Sequence, residues 1–226
     1  MIGGLSWLSA AEYYRRVNEL VQESLGGDNS ARLVMESVNR EEFLDYTFNK
    51  KDEDSAARMI LNAAKSVEAA GAEFIVFCCN GIHRYLPVVE PQISIPFLHI
   101  ADATAEEIKK EGLKTVALMG VRATMEGTFY SEVLKSHGIE TIIPNDEERD
   151  IIQGSLMTEV VKGVFRDETR QKFVDIIRAL HGRGAEGAVL GCTEIPLLVR
   201  PGDVDVPTFS TTEIHCRATV ERSLAA

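Results

Sequence analysis

Two thirteen-residue stretches of the chain resemble each other and decide the fold. Residues 71–83 read GAEFIVFCCNGIH, and residues 184–196 read GAEGAVLGCTEIP. Aligned without a gap at an offset of 113 residues, they share six identities, one of which pairs Cys79 with Cys192. A helix-like segment precedes each copy, and a proline-bounded segment follows it. We therefore interpret the chain as two similar halves of about 110 residues, an ordinary domain size.

Each half alternates short apolar runs with longer segments of helical periodicity. Short apolar runs bounded by glycine or polar turns are typical of buried parallel strands. This alternation predicts an α/β fold made of two pseudo-symmetric parallel-sheet lobes with the active site between them. The first lobe is expected to comprise residues 1–100 plus 209–226, and the second residues 101–208. The predicted strands are 31–38, 73–78, 115–121, 140–143 and 185–190, and the predicted helices are 10–23, 54–70, 102–111, 124–137, 147–163, 168–180 and 212–224.

The composition excludes several classes of protein. The 226 residues are 45% apolar, which is enough for a sizeable core. With 24 Lys and Arg against 35 Asp and Glu, the net charge of −11 argues against nucleic acid and anionic membranes as partners. No run of about 18 apolar residues and no signal-peptide pattern occurs, so we expect a cytoplasmic protein with reduced thiols.

The loops that follow the predicted strands carry the candidate chemistry. In parallel sheets, ligands bind beyond the carboxyl ends of the strands. Cys79 and Cys192 each lie at such an end, in equivalent places of the two halves. Two thiols on opposite sides of one carbon, one of them ionised, could remove a proton from one face and return one to the other. A helix starting after each cysteine would favour the thiolate, and its N–H groups, with Asn80 and Thr193, could bind a carboxylate.

The four cysteines do not all invite the same interpretation. Free cysteine often merely fills core, and we expect this of Cys78 and Cys216. The matched positions and polar neighbours of Cys79 and Cys192 favour a functional role instead. Because Cys78 and Cys79 are adjacent, neither a redox motif nor a zinc site is indicated.

Three motifs resemble a known family. Residues 3–7 (GGLSW), 79–83 (CNGIH) and 191–196 (GCTEIP) are similar to those of the aspartate/glutamate racemase family, whose members racemise amino acids without pyridoxal phosphate. The resemblance implies two catalytic cysteines, at Cys79 and Cys192, in a site between pseudo-symmetric lobes, and often a homodimer. It also implies a set of residues that bind the amino acid: Ser6, Asn80, Gly81, Thr124 and Thr193.

The chain departs from the family pattern at three places. It starts almost at the Gly3-Gly4 loop, so the first sheet is expected to lose a strand unless the start is misassigned. Gly81 stands where the family has threonine, which removes a hydroxyl from the carboxylate site. Leu8 replaces an acid that the nearest relatives often carry.

The side chain of the substrate stays open at this point. An aspartate or glutamate substrate would need a cation, whereas a lysine substrate would need an acid. The candidate cations are Arg40, Arg84 and Lys162, and the candidate acids are Glu36, Glu126 and Glu194.

Two auxiliary residues lie close to the cysteines in sequence. His83 follows Cys79 by four residues, which on a helix would place both on one face, where it could polarise the site or serve as a cap. Glu194 could tune the thiol of Cys192 or merely favour a helix N-terminus.

We expect no cofactor and no metal. No lysine lies in a candidate site loop to form a Schiff base with pyridoxal phosphate, and no metal-ligand spacing occurs. The predicted function is a cofactor-independent amino-acid racemase with a small-molecule substrate. The alternatives are a related isomerase or decarboxylase of a small carboxylic acid, a two-lobed carboxylate-binding protein without chemistry, and a thiol redox protein.

Overall fold

The computed structural model describes residues 1–200 and 202–225. These residues form two compact units: Met1–His99 with the described residues from Cys216 onward, and Ile100–His215. Each unit has a parallel sheet with helices against it, so the predicted fold class is confirmed.

The first unit contains four short parallel strands. They are β1 (Ile2–Gly3), β2 (Glu36–Ser37), β3 (Ile75–Val76) and β4 (Phe97–Leu98). β1 pairs with β2, β3 pairs with β4, and a bridge between Ile2 and Phe77 connects the two pairs. The strands therefore lie in the order β2-β1-β3-β4.

The expected loss of the first strand is wrong. β1 forms from only two residues, yet it lies between two neighbours, and the Met1 ammonium group donates a hydrogen bond to the Val34 carbonyl at 2.7 Å. Two paired residues suffice because strand length in this sheet is short throughout. Of the predicted strand 31–38, only Glu36–Ser37 pairs.

The second unit repeats the arrangement of the first. Its strands are β5 (Thr115–Met119), β6 (Glu140–Ile142), β7 (Gly187–Leu190) and β8 (Thr208–Ser210), all parallel in the order β6-β5-β7-β8. Replacing each number by its counterpart four places earlier gives the order of the first sheet. The two halves thus share topology as well as the thirteen-residue repeat. β4 and β8 come from the proline-bounded segments and were not predicted as strands.

The helices mostly match the predicted ones. The first unit contains α1 (Trp7–Leu25), α2 (Arg40–Leu44), a π-helix (Asp45–Lys50), α3 (Glu53–Ala69), a 3-10 helix (Gly81–Tyr85), α4 (Leu86–Val89) and a 3-10 turn (Glu90–Gln92). The second contains α5 (Ile100–Lys110), α6 (Arg122–Glu126), α7 (Thr128–Ser136), α8 (Asp146–Thr158), a 3-10 turn (Val160–Lys162), α9 (Asp167–Gly182) and α10 (Ile195–Leu198), and α11 (Thr211–Leu224) ends the chain.

Two predicted helices are interrupted. The predicted helix 124–137 is split into α6 and α7 because Gly127 adopts an extended conformation, with φ −76° and ψ 149°. The predicted helix 147–163 ends at Thr158 and continues only as a 3-10 turn. The segment 40–50 was not predicted to be helical.

Strand residues alternate between two cores, one on each face of the sheet. In β5, Val116 and Leu118 pack with α5 and α7, whereas Ala117 and Met119 pack with α8 and α9. α11 begins in the second unit, but its Cys216 packs in the core of the first. Among the helices of residues 1–200 and 202–225, none has both the length and the apolar character needed to cross a bilayer.

Candidate active site

Each sheet has a topological switch point between its two central strands. The chain leaves β1 toward β2 on one side and leaves β3 toward β4 on the other, and β5 and β7 repeat this pattern. In open parallel sheets, ligands bind outside the carboxyl ends of the strands at such a point. Cys79 follows β3 and Cys192 follows β7, so each cysteine lies at the switch point of its own unit.

The backbone holds the two cysteines in equivalent ways. The N–H of Cys78 donates to the Ile2 carbonyl at 2.9 Å, and the N–H of Gly191 donates to the Met119 carbonyl at 2.7 Å. Each cysteine is therefore the first residue beyond the last hydrogen bond to the neighbouring central strand. Both side chains are half-buried and pack against the core formed with the helix before their strand, α3 or α9.

Cys78 and Cys216 are core residues, as predicted. They are 2% and 0% exposed, and both pack with α1 and α11. Burial raises the pKa of the Cys78 thiol to about 12. Because the thiolate is the reactive form, Cys78 is inert at neutral pH.

A tight turn joins β1 to α1 beside Cys79. Gly4 has a φ of 97°, and a Cβ there would collide with the backbone of Val38, so only glycine fits. Ser6, a predicted substrate-binding residue, is the N-cap of α1 and accepts a hydrogen bond from the Ser9 N–H. The hydroxyl of Ser9 donates to the Cys78 carbonyl at 2.7 Å and so ties α1 to the cysteine loop. Sequence reasoning missed Ser9, since a lone serine in a first helical turn gives no signal.

His83 supports the backbone of the first cysteine loop. It is 2% exposed, and its Nδ1 lies 3.0 Å from the Cys79 carbonyl and 3.1 Å from that of Asn80. Carbonyls only accept hydrogen bonds, so Nδ1 carries a proton. The ring also packs against His99, with centroids 4.6 Å apart. His99 directly follows β4 and was missed, because the proline-bounded segment before it was not recognised as a strand.

Two glycines allow the loops of the second unit to approach each other. A Cβ on Gly191 would lie 2.7 Å from the Met119 carbonyl oxygen, and a Cβ on Gly120 would lie 2.8 Å from the Gly191 carbonyl oxygen. Both distances are shorter than real Cβ contacts, so neither position tolerates a larger residue without movement. This close approach brings Thr124 against Gly191, the residue before Cys192.

Two buried threonine hydroxyls lie at this edge of the second sheet. Thr124 is fully buried and Thr212 is 5% exposed. Within the described part of the chain, neither Oγ1 has a hydrogen-bond partner. Thr212 was not predicted; it follows Thr211, whose hydroxyl donates to the Leu190 carbonyl at the end of β7. Leaving a buried hydroxyl unsatisfied costs about 1–3 kcal/mol, so both groups are suited to a polar ligand.

Glu194 contacts the thiol of the second cysteine. The Cys192 Sγ lies 3.1 Å from Glu194 Oε2, and the Thr193 hydroxyl donates to the same oxygen at 2.7 Å. Glu194 occupies the N-cap position of α10, but its side chain makes no capping hydrogen bond. Of the two interpretations of Glu194, the structure therefore favours the contact with the thiol.

The helices expected after the cysteines are much shorter than predicted. Cys79 is followed by the five-residue 3-10 helix that starts at Gly81, and Cys192 by the four-residue α10. A proline occurs near the start of each following α-helix, at Pro87 and Pro196. Neither segment has the length that a strong helix dipole requires.

The candidate charged residues differ in what they contact. Arg40 begins α2 directly after β2, which places it at the same sheet edge as Ser6 and Cys79. Arg84 pairs with Glu53 at 3.2 Å, and Lys162 is exposed in a 3-10 turn outside the loops that follow the strands.

The candidate acids are likewise in different places. Glu126 pairs with Arg122 and with Arg149. Glu36 lines a polar cavity of about 470 Å³ beside α3. In the described ranges, no three His, Cys, Asp or Glu side chains are grouped so that they could hold a metal ion.

Comparison with known proteins identifies the family. A sequence profile described as Asp/Glu/Hydantoin racemase matches residues 2–219. The chain belongs to this family. Its members are isomerases that act at a Cα centre, and the predicted family is confirmed.

Solved structures and a characterised relative agree with this assignment. A candidate Asp/Glu racemase from Yersinia pestis is 41% identical, with a TM-score of 0.91 over 99% of this chain and 97% of that one. An aspartate racemase homologue from Pyrococcus horikoshii OT3 is 33% identical, with a TM-score of 0.84 over the same shares. The broad-specificity amino-acid racemase RacX from Bacillus subtilis (strain 168) is 22% identical over 100% of this chain and 97% of its own length.

Proposed function

We propose that this chain is a cofactor-independent amino-acid racemase in which Cys79 and Cys192 act on opposite faces of the substrate Cα. One cysteine, as the thiolate, removes the α-proton, and the electron pair left on Cα is delocalised into the α-carboxyl group. The other cysteine, as the thiol, donates its proton to the opposite face, which inverts the centre. One proton leaves and one arrives, so no oxidant, metal or prosthetic group enters the balance.

The observation that carries this proposal is the equivalence of the two cysteines. Each follows a central strand of its sheet, directly beyond a backbone hydrogen bond to the other central strand. A racemase needs an acid and a base of similar strength, and duplicated loops supply two thiols. A one-cysteine isomerase or a binding protein has no need of the second.

The substrate-binding groups are proposed to be the polar residues around these loops. Thr124 Oγ1 is buried without a partner in the described residues, so it has hydrogen-bonding capacity for an amino acid. Ser6, Asn80, Gly81 and Thr193 flank the two cysteines and would hold the carboxylate or ammonium group. Donors aimed at the carboxylate stabilise the charge that develops there during proton removal.

We propose acidic amino acids as the first substrates to test. Arg40 follows β2 at the edge that carries Cys79, where a cation would meet an acidic side chain. A lysine substrate has less support, because Glu126 is already paired with two arginines. Relatives named for aspartate and for glutamate point the same way.

Chiral chromatography tests the proposal. Each enantiomer of the common amino acids is incubated with dialysed protein, and the opposite enantiomer is measured. We expect racemisation of at least one acidic amino acid and a loss of about 10²–10⁴-fold in Cys79→Ser and in Cys192→Ser. Cys78→Ala is the matched control, since its thiol lies in the core. Activity near the wild-type value in either serine variant, or activity that returns only with pyridoxal phosphate or a metal ion, contradicts the proposal.

The assembly is tested separately. We propose a homodimer, which light scattering of the purified protein would distinguish from a monomer by a twofold difference in mass. A monomer with full racemase activity would contradict the dimer without affecting the proposed chemistry.

A further inference from the structure

The two halves differ at one position that contacts a cysteine. In the gap-free alignment, residues 79–81 (CNG) match residues 192–194 (CTE). The second cysteine therefore has a carboxylate two residues away, where the first has Gly81. This difference breaks the symmetry of the otherwise duplicated loops.

The carboxylate is held against the thiol. Cys192 Sγ and the Thr193 hydroxyl both lie within hydrogen-bond distance of Glu194 Oε2, at 3.1 and 2.7 Å. Glu194 is only 2% exposed, and in residues 1–200 and 202–225 its Oε1 has no hydrogen-bond partner. A carboxylate accepts hydrogen bonds, so at this distance the thiol donates its S–H proton.

Ionisation of Cys192 would place a second negative charge beside this carboxylate. Like charges in contact disfavour ionisation, and a hydrogen bond donated by the S–H group favours the protonated form. Burial strengthens both effects because little water screens them. Cys79 has no equivalent neighbour in sequence, since glycine has no side chain.

We propose that Glu194 is a positioning residue that keeps Cys192 protonated in the resting enzyme and so leaves Cys79 as the thiolate. This inference rests on the proposed two-cysteine racemase. The resting enzyme is then ready for the enantiomer whose α-hydrogen faces Cys79. Cys79 takes that proton, and Cys192 gives its S–H proton to the opposite face.

The reverse direction requires the less stable protonation state. After one turnover, the proton lies on Cys79 and Cys192 is a thiolate beside Glu194. Exchange with water restores the resting state by removing one proton from Cys79 and adding one to Cys192. Because the two enantiomers have equal free energies, kcat/KM is equal in both directions, and the asymmetry appears in kcat and KM taken separately.

Alkylation of the thiols tests the inference without requiring turnover. The protein is treated with iodoacetamide from pH 5 to 10, and the modification of each cysteine is followed by peptide mass spectrometry. In the wild-type protein we expect the midpoint of the pH profile to be roughly 1–3 pH units higher for Cys192 than for Cys79. A midpoint for Cys192 at or below that of Cys79 overturns the inference.

Two variants of acidic residues sharpen the test. Glu194→Gln keeps the shape and an accepting oxygen but removes the charge, so the Cys192 midpoint should fall by a similar amount and the two kcat values should approach each other. Glu168→Gln, at an exposed position in the first turn of α9, makes the same chemical change and should leave both midpoints unchanged. An unchanged midpoint in a folded Glu194→Gln protein overturns the inference.

The two proposals fail in distinguishable ways. If neither enantiomer of any amino acid is racemised, the proposed function fails, whatever the alkylation profiles show. If racemisation occurs and depends on both cysteines, but the midpoint of Cys192 does not respond to Glu194→Gln, only the role of Glu194 fails.

Discussion

Thr124→Val separates a structural role of this threonine from a functional one. Valine matches threonine in shape but replaces the hydroxyl by a methyl group. Thr124 is fully buried, and its Oγ1 has no hydrogen-bond partner in the described residues. A buried unsatisfied polar group costs about 1–3 kcal/mol, so its removal should stabilise the folded protein by about 1–2 kcal/mol. For a chain of this length, that corresponds to a rise in Tm of roughly 2–8 °C.

Activity should change in the opposite direction. A hydrogen bond from Thr124 to a charged group of the substrate contributes about 1.5–3 kcal/mol, so its loss should lower kcat/KM roughly 10- to 150-fold. Tm is measured by calorimetry, and kcat/KM by chiral chromatography.

Thr169→Val is the matched control. Thr169 is also buried, but its hydroxyl already donates to Glu159 Oε2 at 2.7 Å. This variant should lose about 1 kcal/mol of stability and keep its activity. The reasoning is refuted if Thr124→Val is less stable than the wild-type protein, or if it is more stable and fully active.

Two further predictions concern the backbone and the buried thiol. Gly191→Ala places a Cβ 2.7 Å from the Met119 carbonyl oxygen and should cost about 1–3 kcal/mol and most of the activity, whereas Gly154→Ala, in open space within α8, should be neutral or stabilising in the same denaturant titration. Equal effects of the two changes would show that the close approach is not rigid. Because burial raises the pKa of Cys78 from 9.0 to about 12, the folded state favours the neutral thiol, and this contribution to stability is present below pH 9 and lost as the pH rises toward 12. Cys78→Ala should therefore unfold less steeply with pH over that range; a slope identical to that of the wild-type protein would argue against it.

The repeat was the part of the fold that the sequence predicted best. The offset of 113 residues aligns Cys78 with Gly191, and their N–H groups make the same hydrogen bond in the two sheets. The offset does not persist into the next strand: β4 and β8 pair with β3 and β7 in registers that correspond to an offset of 111, since Phe97 opposes Ile75 and Thr208 opposes Ala188. These short strands were missed because three or fewer paired residues carry little periodicity.

Other misses have local physical causes. An extended Gly127 interrupts a segment whose periodicity is continuous, and apolar spacing alone does not reveal a backbone conformation. The 3-10 helix after Asn80 is short, so the helix dipole expected at Cys79 does not develop.

The candidate site was predicted unevenly. The residues adjacent to Cys79 and Cys192 in sequence were found, because position after a strand indicates the functional edge. Ser9, His99 and Thr212 reach the same edges from other elements, so tertiary structure was needed to see them. Sequence left two interpretations of Glu194 open, and the distance to the Cys192 sulfur decides between them.

The isotopic composition of product and recovered substrate tests the two-base chemistry most directly. A single enantiomer is incubated with the wild-type protein in heavy water, and both enantiomers are separated after a few per cent of conversion. We expect deuterium at Cα in nearly all of the product and in almost none of the recovered substrate, because different sulfur atoms remove and deliver the proton. Equal deuterium in both enantiomers would show that one base serves both faces, and no deuterium in either would show that the protein binds amino acids without reacting with them.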